Sequence, residues 1–95
     1  MPLDLNIFKP FLHSLTRDER ITVWHMGVVF GILQLATTNT SGPIFISRKL
    51  VMQLGHIKNI VTYHKCIKEL QSFGYIEYFP SYHPGIRTRV HLLKK

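Results

Sequence analysis

Arg48, Lys49, Lys58, Lys65, Lys68, Arg87 and Arg89 recur through the second half of this chain and are followed by Lys94 and Lys95, against only Glu69 and Glu77. Residues 1–46 are balanced: Lys9, Arg17 and Arg20 face Asp4, Asp18 and Glu19. The formal net charge of +7 therefore resides wholly in residues 47–95. A neutral half joined to a cationic half suits a scaffold that presents a working surface to a polyanion, either nucleic acid or an anionic membrane.

Other chemistries have less support. The six histidines include no pair at i, i+4, and Cys66 has no second thiol, so no metal site is expected. No paired carboxylates, phosphate-binding glycine loop or catalytic triad can be assembled, so neither an enzyme nor a cofactor is expected. A chain of 95 residues has room for one domain, and a domain this small gains from a partner such as a second subunit. The lone cysteine fits a reducing compartment, and a cytoplasmic location is expected. The first fifteen residues lack a basic start followed by an apolar run, so no secretory signal is expected. The most apolar stretch, Ile21 to Ala36, is interrupted by His25 and Gln34 and falls short of the roughly 20 residues a membrane span needs.

The elements that must position the cations can be read from spacing. Residues 3–15 suggest a short, broken amphipathic helix whose second part starts at Pro10. Thr16-Arg17-Asp18-Glu19 fits a capping box and predicts a first long helix over 17–37. Thr37 to Pro43 is a cluster of turn formers. Ile44-Phe45-Ile46 suits a short edge strand. Ser47 offers an N-cap to a second helix, Arg48 to Leu54, with Leu50, Val51 and Leu54 inward. Gly55 stands where a helix ends in a left-handed residue, and Ile57 reads as an apolar plug. Asn59 can cap a third helix that runs to about Phe73 and stops at Gly74, with Ile60, Tyr63, Ile67 and Leu70 as its buried stripe and Cys66 beside it. Beyond Gly74 the period changes to two. Residues 75–79 and 86–93 predict strands around a loop at Pro80 to Gly85, with Ile86, Thr88, Val90 and Leu92 on one face and Arg87, Arg89 and His91 on the other.

This order, and the segments Ile46-Ser47-Arg48-Lys49-Leu50 and Leu70-Gln71-Ser72-Phe73-Gly74-Tyr75-Ile76, resemble the winged helix-turn-helix DNA-binding proteins of bacteria, found among transcription regulators and replication proteins. In that family a stripe like Ile67 and Leu70 precedes glycine, an aromatic or aliphatic residue and Ile or Val, here Gly74, Tyr75 and Ile76. Thr62-Tyr63 stands where the family often has Thr-Val. The run from Ile57 to Pro84 also resembles small proteins carried on conjugative elements of Bacteroides-type bacteria. The turn between Leu54 and Asn59 is slightly longer than is usual in the family, which bears on the tilt of the third helix. The resemblance implies an α+β winged helix: a helical extension over 1–16, then a DNA-binding domain over 17–95 with residues 59–73 as recognition helix and 75–93 as wing.

On that reading the outward residues of the third helix are Lys58, Asn59, Val61, Thr62, His64, Lys65 and Lys68. Asn59 is expected to read adenine bidentately, Lys65 and Lys68 to reach guanine edges or phosphates, and Thr62 a thymine methyl or a phosphate. Ser47, Arg48 and Lys49 open the second helix, where a phosphate could be anchored. Arg87 and Arg89 are expected on the DNA backbone or in the minor groove, whereas His83 and His91 stay unassigned. The expected partner is double-stranded DNA, bound sequence-specifically by a transcription regulator or mobile-element accessory factor. The first long helix is apolar nearly all round, so either the segment 3–15 covers it within the chain or a second subunit does. Of the two, a homodimer through it and the N-terminal segment is expected, with Gly27 and Gly31 spaced for close helix approach. Two other readings remain: a winged-helix interaction module without DNA affinity, and a replication-origin or RNA binder using the same surface.

Overall fold

The computed structural model of the protein describes residues 5–36, 43–81 and 87–93, with side chains from residue 9 onward. The expectations for the turn cluster at residues 37–42, for His83 and Ile86, and for Lys94 and Lys95 lie outside the described residues.

Helix α1 (Leu5–Arg17) runs through Pro10 rather than restarting there. A proline inside a helix forfeits one backbone bond and crowds the preceding turn. Here the Pro10 carbonyl accepts from the Ser14 hydroxyl at 3.2 Å, and the helix is held by Phe11 and Leu15, both buried in the core. Thr16 belongs to the last turn of α1, where its hydroxyl donates to the His13 carbonyl at 2.9 Å, so the expected capping box at Thr16–Glu19 does not form.

Helix α2 (Val23–Leu35) starts six residues beyond the predicted residue 17. Its N-cap is Thr22, whose hydroxyl accepts from the His25 amide, while His25 Nδ1 accepts from the Thr22 amide at 2.8 Å. This is a reciprocal box with imidazole doing what a Glu or Gln side chain does in the usual pattern. The box rule looks for a carboxylate or amide, so a histidine three residues after threonine escaped it. Because an amide can only donate, Nδ1 is the acceptor and the neutral ring carries its hydrogen on Nε2.

Strand β1 (Ile44–Ile46) leads into α3 (Arg48–Leu54), capped by Ser47 as expected. Val51 is the buried residue of α3, whereas Leu50, predicted inward, is 41% exposed. The left-handed residue that ends α3 is His56 (φ 57°), not Gly55, whose φ is −89°. Gly55 is required for another reason: α2 and α3 touch backbone to backbone. A Cβ on Gly55 would collide with the Gly27 carbonyl oxygen, and a Cβ on Gly27 would lie 2.7 Å from the Gly55 oxygen. One turn further along α2, a Cβ on Gly31 would lie 2.6 Å from the Val51 oxygen. The two α2 glycines thus serve an intramolecular contact rather than a subunit interface.

Ile57 is buried as the expected plug, and Asn59 caps α4 (Ile60–Ser72). The buried stripe of α4 is Tyr63, Cys66, Ile67 and Leu70; Ile60, predicted within it, is 42% exposed. Gly74, at φ 87°, ends the helix, and the Tyr75 amide then reaches the Leu70 carbonyl at 2.9 Å.

Strands β2 (Ile76–Phe79) and β3 (Thr88–Leu92) pair antiparallel, and β3 also pairs antiparallel with β1, so the sheet order is β1-β3-β2 with β1 at an edge. Ile44, Ile46, Ile76 and Val90 face the helices and join one core with residues of α1, α2, α3 and α4. The described chain is therefore an α+β domain of four helices and one three-stranded antiparallel sheet.

In a helix with open space, Gly→Ala stabilises by about 0.4–1 kcal/mol. Gly31→Ala should have the opposite sign, destabilising the domain by about 1–3 kcal/mol in urea unfolding, because Val51 backbone must move to admit the methyl group. A stabilised Gly31→Ala variant would show that the α2–α3 contact is looser than described.

Candidate nucleic-acid interface

Helix periodicity sorts α4 into two lines. Successive residues turn by about 100°, so with Tyr63, Cys66, Ile67 and Leu70 buried, the opposite line is Val61, Lys65, Lys68 and Ser72, all exposed. His64 is exposed to one side with its ring edge-on to Tyr63 (5.3 Å between centroids), and Thr62 is half-buried on the other flank. Lys58 and Asn59 are exposed just ahead of the first turn. The Asn59 Oδ1 accepts from the amides of Val61 (2.7 Å) and Thr62 (3.4 Å). With that oxygen engaged, the side chain retains its Nδ2 donor but not the donor–acceptor fork that bidentate adenine recognition uses.

Ser47 Oγ accepts from the Leu50 amide at 3.4 Å, and Arg48 and Lys49 are exposed in the first turn of α3. Arg87 is exposed just before β3, and Arg89 is exposed on β3 itself. The Arg89 guanidinium lies over the Phe79 ring, 4.8 Å from its centroid, and Phe79 meets the half-buried His91 edge-on at 5.6 Å. Strand register sets Arg89 between Phe45 on β1 and Phe79 on β2, on the sheet face away from the helices. Ring contact orders a long cationic side chain without neutralising it. The bracketing by Phe45 could not be read from sequence, since it depends on register between segments 44 residues apart.

Among the described residues, Arg48, Lys49, Lys58, Lys65, Lys68, Arg87 and Arg89 form no salt bridge. Of the two acids in this half, Glu77 is exposed on β2 opposite His91, whereas Glu69 is engaged elsewhere. Glu69 is one turn from Lys65 on α4, a spacing at which ion pairs form, yet its Oε1 sits 2.8 Å from His25 Nε2. The neutral tautomer fixed by the Thr22 cap makes Nε2–H the donor, so α4 is tied to the start of α2. Asp18 is similarly occupied, in a bidentate pair with Arg20 (2.7 and 3.0 Å) and as acceptor from the Tyr75 hydroxyl at 2.7 Å. Arg20 also covers the Phe73 ring at 4.2 Å. This cluster joins the α1–α2 turn to the chain leaving α4.

The Arg20 and Tyr75 hydrogen bonds hold the Asp18 carboxyl well below the usual carboxylate range. Burial, and then neighbouring Tyr78, push the Tyr63 hydroxyl up. Burial also raises the Cys66 thiol, followed by the charge of Glu69, so Cys66 packs as a small apolar side chain. Among the described residues, no three His, Cys, Asp or Glu side chains converge as metal ligands would, and no helix is long and apolar enough to cross a membrane. No family model matches the chain, and no curated protein or solved structure is significantly similar to it.

Asp18 makes a pH prediction. Its folded-state pKa is depressed, so the ionised form contributes stability above the ordinary aspartate range, and that contribution is lost as pH falls through the range toward the folded value. The unfolding free energies of the parent and Asp18→Asn should differ most at pH 7 and converge below about pH 4. A gap that stays constant down to acid pH would place the stabilisation elsewhere.

Proposed function

We propose that the domain is a winged helix that binds double-stranded DNA, with α4 as recognition helix in the major groove and the β2–β3 hairpin as wing. The single observation that carries this reading is the line Val61, Lys65, Lys68 on the solvent side of α4, whose two lysines have no anionic partner among the described residues. The element order α2-β1-α3-α4-β2-β3 and the sheet order β1-β3-β2 support it, because that arrangement leaves one face of α4 open beside a hairpin. In the biological role proposed, the protein is a bacterial transcription regulator or mobile-element accessory factor acting at the nucleoid. Lys65 and Lys68 supply charge and donors to the groove, Arg48, Lys49 and Lys58 meet the backbone near the helix starts, and Arg87 with the Phe79-braced Arg89 meets it from the wing.

A second feature favours self-association. Val23, Trp24 and Phe30 of α2 remain exposed although α1 and α3 pack on the same domain, with Trp24 and Phe30 each 53% exposed. A two-fold dimer through this surface would bring two recognition helices to a palindromic site. Sedimentation equilibrium should then give a dimer at micromolar concentration and a monomer for Phe30→Asp. A monomeric parent protein would remove the dimer from the proposal without touching DNA binding.

Fluorescence anisotropy on a 20-base-pair duplex tests the main reading. Log affinity should fall linearly with log salt, with a slope of about −0.9 for each phosphate neutralised. Lys65→Ala combined with Arg87→Ala should weaken binding and make that slope shallower by about one to two. Unchanged binding in the double variant would show that the surface assigned here is the wrong one. Absence of any salt-sensitive binding would favour the interaction-module reading instead.

A further inference from the structure

Val61 has no use inside the fold. It is 71% exposed and lies on the line of α4 opposite the buried stripe. Lys65 follows one turn later and Lys68 another turn on, so an isopropyl group stands at the head of a row of cations. Helix propensity does not account for it, because β-branched valine is a weaker helix former than alanine, leucine or lysine. Packing does not account for it either, since the neighbouring core positions are filled by Tyr63 and Ile57. Exposed apolar surface set among unpaired cations complements a partner that is anionic but carries an apolar group at a fixed place. The major groove of DNA has one such group on its floor, the 5-methyl of thymine, and 5-methylcytosine carries its counterpart. Val61 is also the second residue of α4, at the end of a recognition helix from which base edges are contacted. Asn59, the polar side chain nearest that end, has its oxygen committed to the cap, so an amide fork does not compete for the same base.

We propose that Val61 reads the 5-methyl group of a pyrimidine in the major groove, while Lys65, about 6 Å further along the helix axis, reaches an acceptor one or two base steps away. This rests on the DNA-binding reading above and sharpens it from a charged surface to a base preference. Lysine contacts to phosphates are the same for every sequence and those to base acceptors select guanine; the methyl contact makes one further position thymine-dependent.

The test starts with the intact protein and a random 20-base-pair duplex pool, followed by resynthesis of the enriched duplexes with uracil replacing one thymine at a time. Uracil keeps every hydrogen-bonding group and removes only the methyl. At one position, or two related by symmetry, the replacement should weaken binding about fourfold, the factor expected for one buried methyl-sized group. Val61→Ala should shrink that ratio below about twofold while leaving the salt slope unchanged, because no charge is altered. The residue is exposed, so the variant is expected to melt at or slightly above the parent temperature, and the melt verifies folding. Enrichment with no uracil-sensitive position overturns this inference and leaves DNA binding intact. A uracil effect that persists in Val61→Ala overturns the assignment to Val61. Salt-sensitive binding without enrichment removes base reading altogether, and no binding to the pool overturns both readings.

Discussion

The contact on which the rest of the structure depends is the glycine-lined seam between α2 and α3. At Gly27, Gly31 and Gly55 the two helices approach until backbone oxygens occupy the space that side chains would need. Such an approach fixes distance and angle together, because carbonyl groups cannot change rotamer to relieve a misfit. Gly55 is also the residue at which α3 ends. Four residues separate it from the first turn of α4, and one of them, Ile57, is buried with its Cδ1 lying 3.2 Å from where a Gly27 Cβ would be. The seam therefore sets the point and direction from which the chain enters α4.

Two polar links then hold α4 and its exit at long range. His25 joins the N-cap of α2 to Glu69 on α4, and Tyr75 joins the chain after α4 to Asp18 in the α1–α2 turn. Both links consume acids. With Glu69 drawn toward His25 and Asp18 held by Arg20 and Tyr75, two of the five acidic residues act within the scaffold. At Glu69 the scaffold gains a tie from the group that stands one turn from Lys65 and would otherwise be free to pair with it, so there folding and charge segregation proceed together. The proposed function depends on that coincidence. An α4 with a Glu69–Lys65 pair would present a weaker field and a less available lysine.

Much of the architecture was legible in the chain. The helices over 48–54 and 60–72, their caps Ser47 and Asn59, the plug Ile57, the stop at Gly74 and the two-residue alternation of β3 follow from local rules, in which a side chain meets a backbone group or a face only a few residues away. The candidate surface was legible for the same reason. Once Tyr63, Ile67 and Leu70 are assigned inward, a 3.6-residue period leaves Val61, Lys65 and Lys68 no other direction. The errors were of another kind. Thr16 looked like a cap because the pattern Thr-x-x-Glu is local, yet Thr22 and His25 make the same reciprocal bonds six residues later, and α1 takes Thr16 for its own last turn. Leu50 and Ile60 are apolar yet stay exposed, because the inward directions of their helices are held by Val51 in α3 and by Tyr63, Cys66, Ile67 and Leu70 in α4.

The amino-acid sequence by itself determined where the charge lies, where the period changes from helix to strand, and which residues begin and end the later helices, since each of these depends on neighbours along the chain. Only the tertiary structure decided what Gly27 and Gly31 are for, that His56 and not Gly55 adopts the left-handed conformation, that Glu69 turns from Lys65 to His25, and that Arg89 sits between Phe45 and Phe79. Each of these is a choice among partners that the sequence leaves equally open. Close packing of α2 on α3 and the register of three strands remove all but one, because in a filled interior a group has only the neighbours that the fold brings to it.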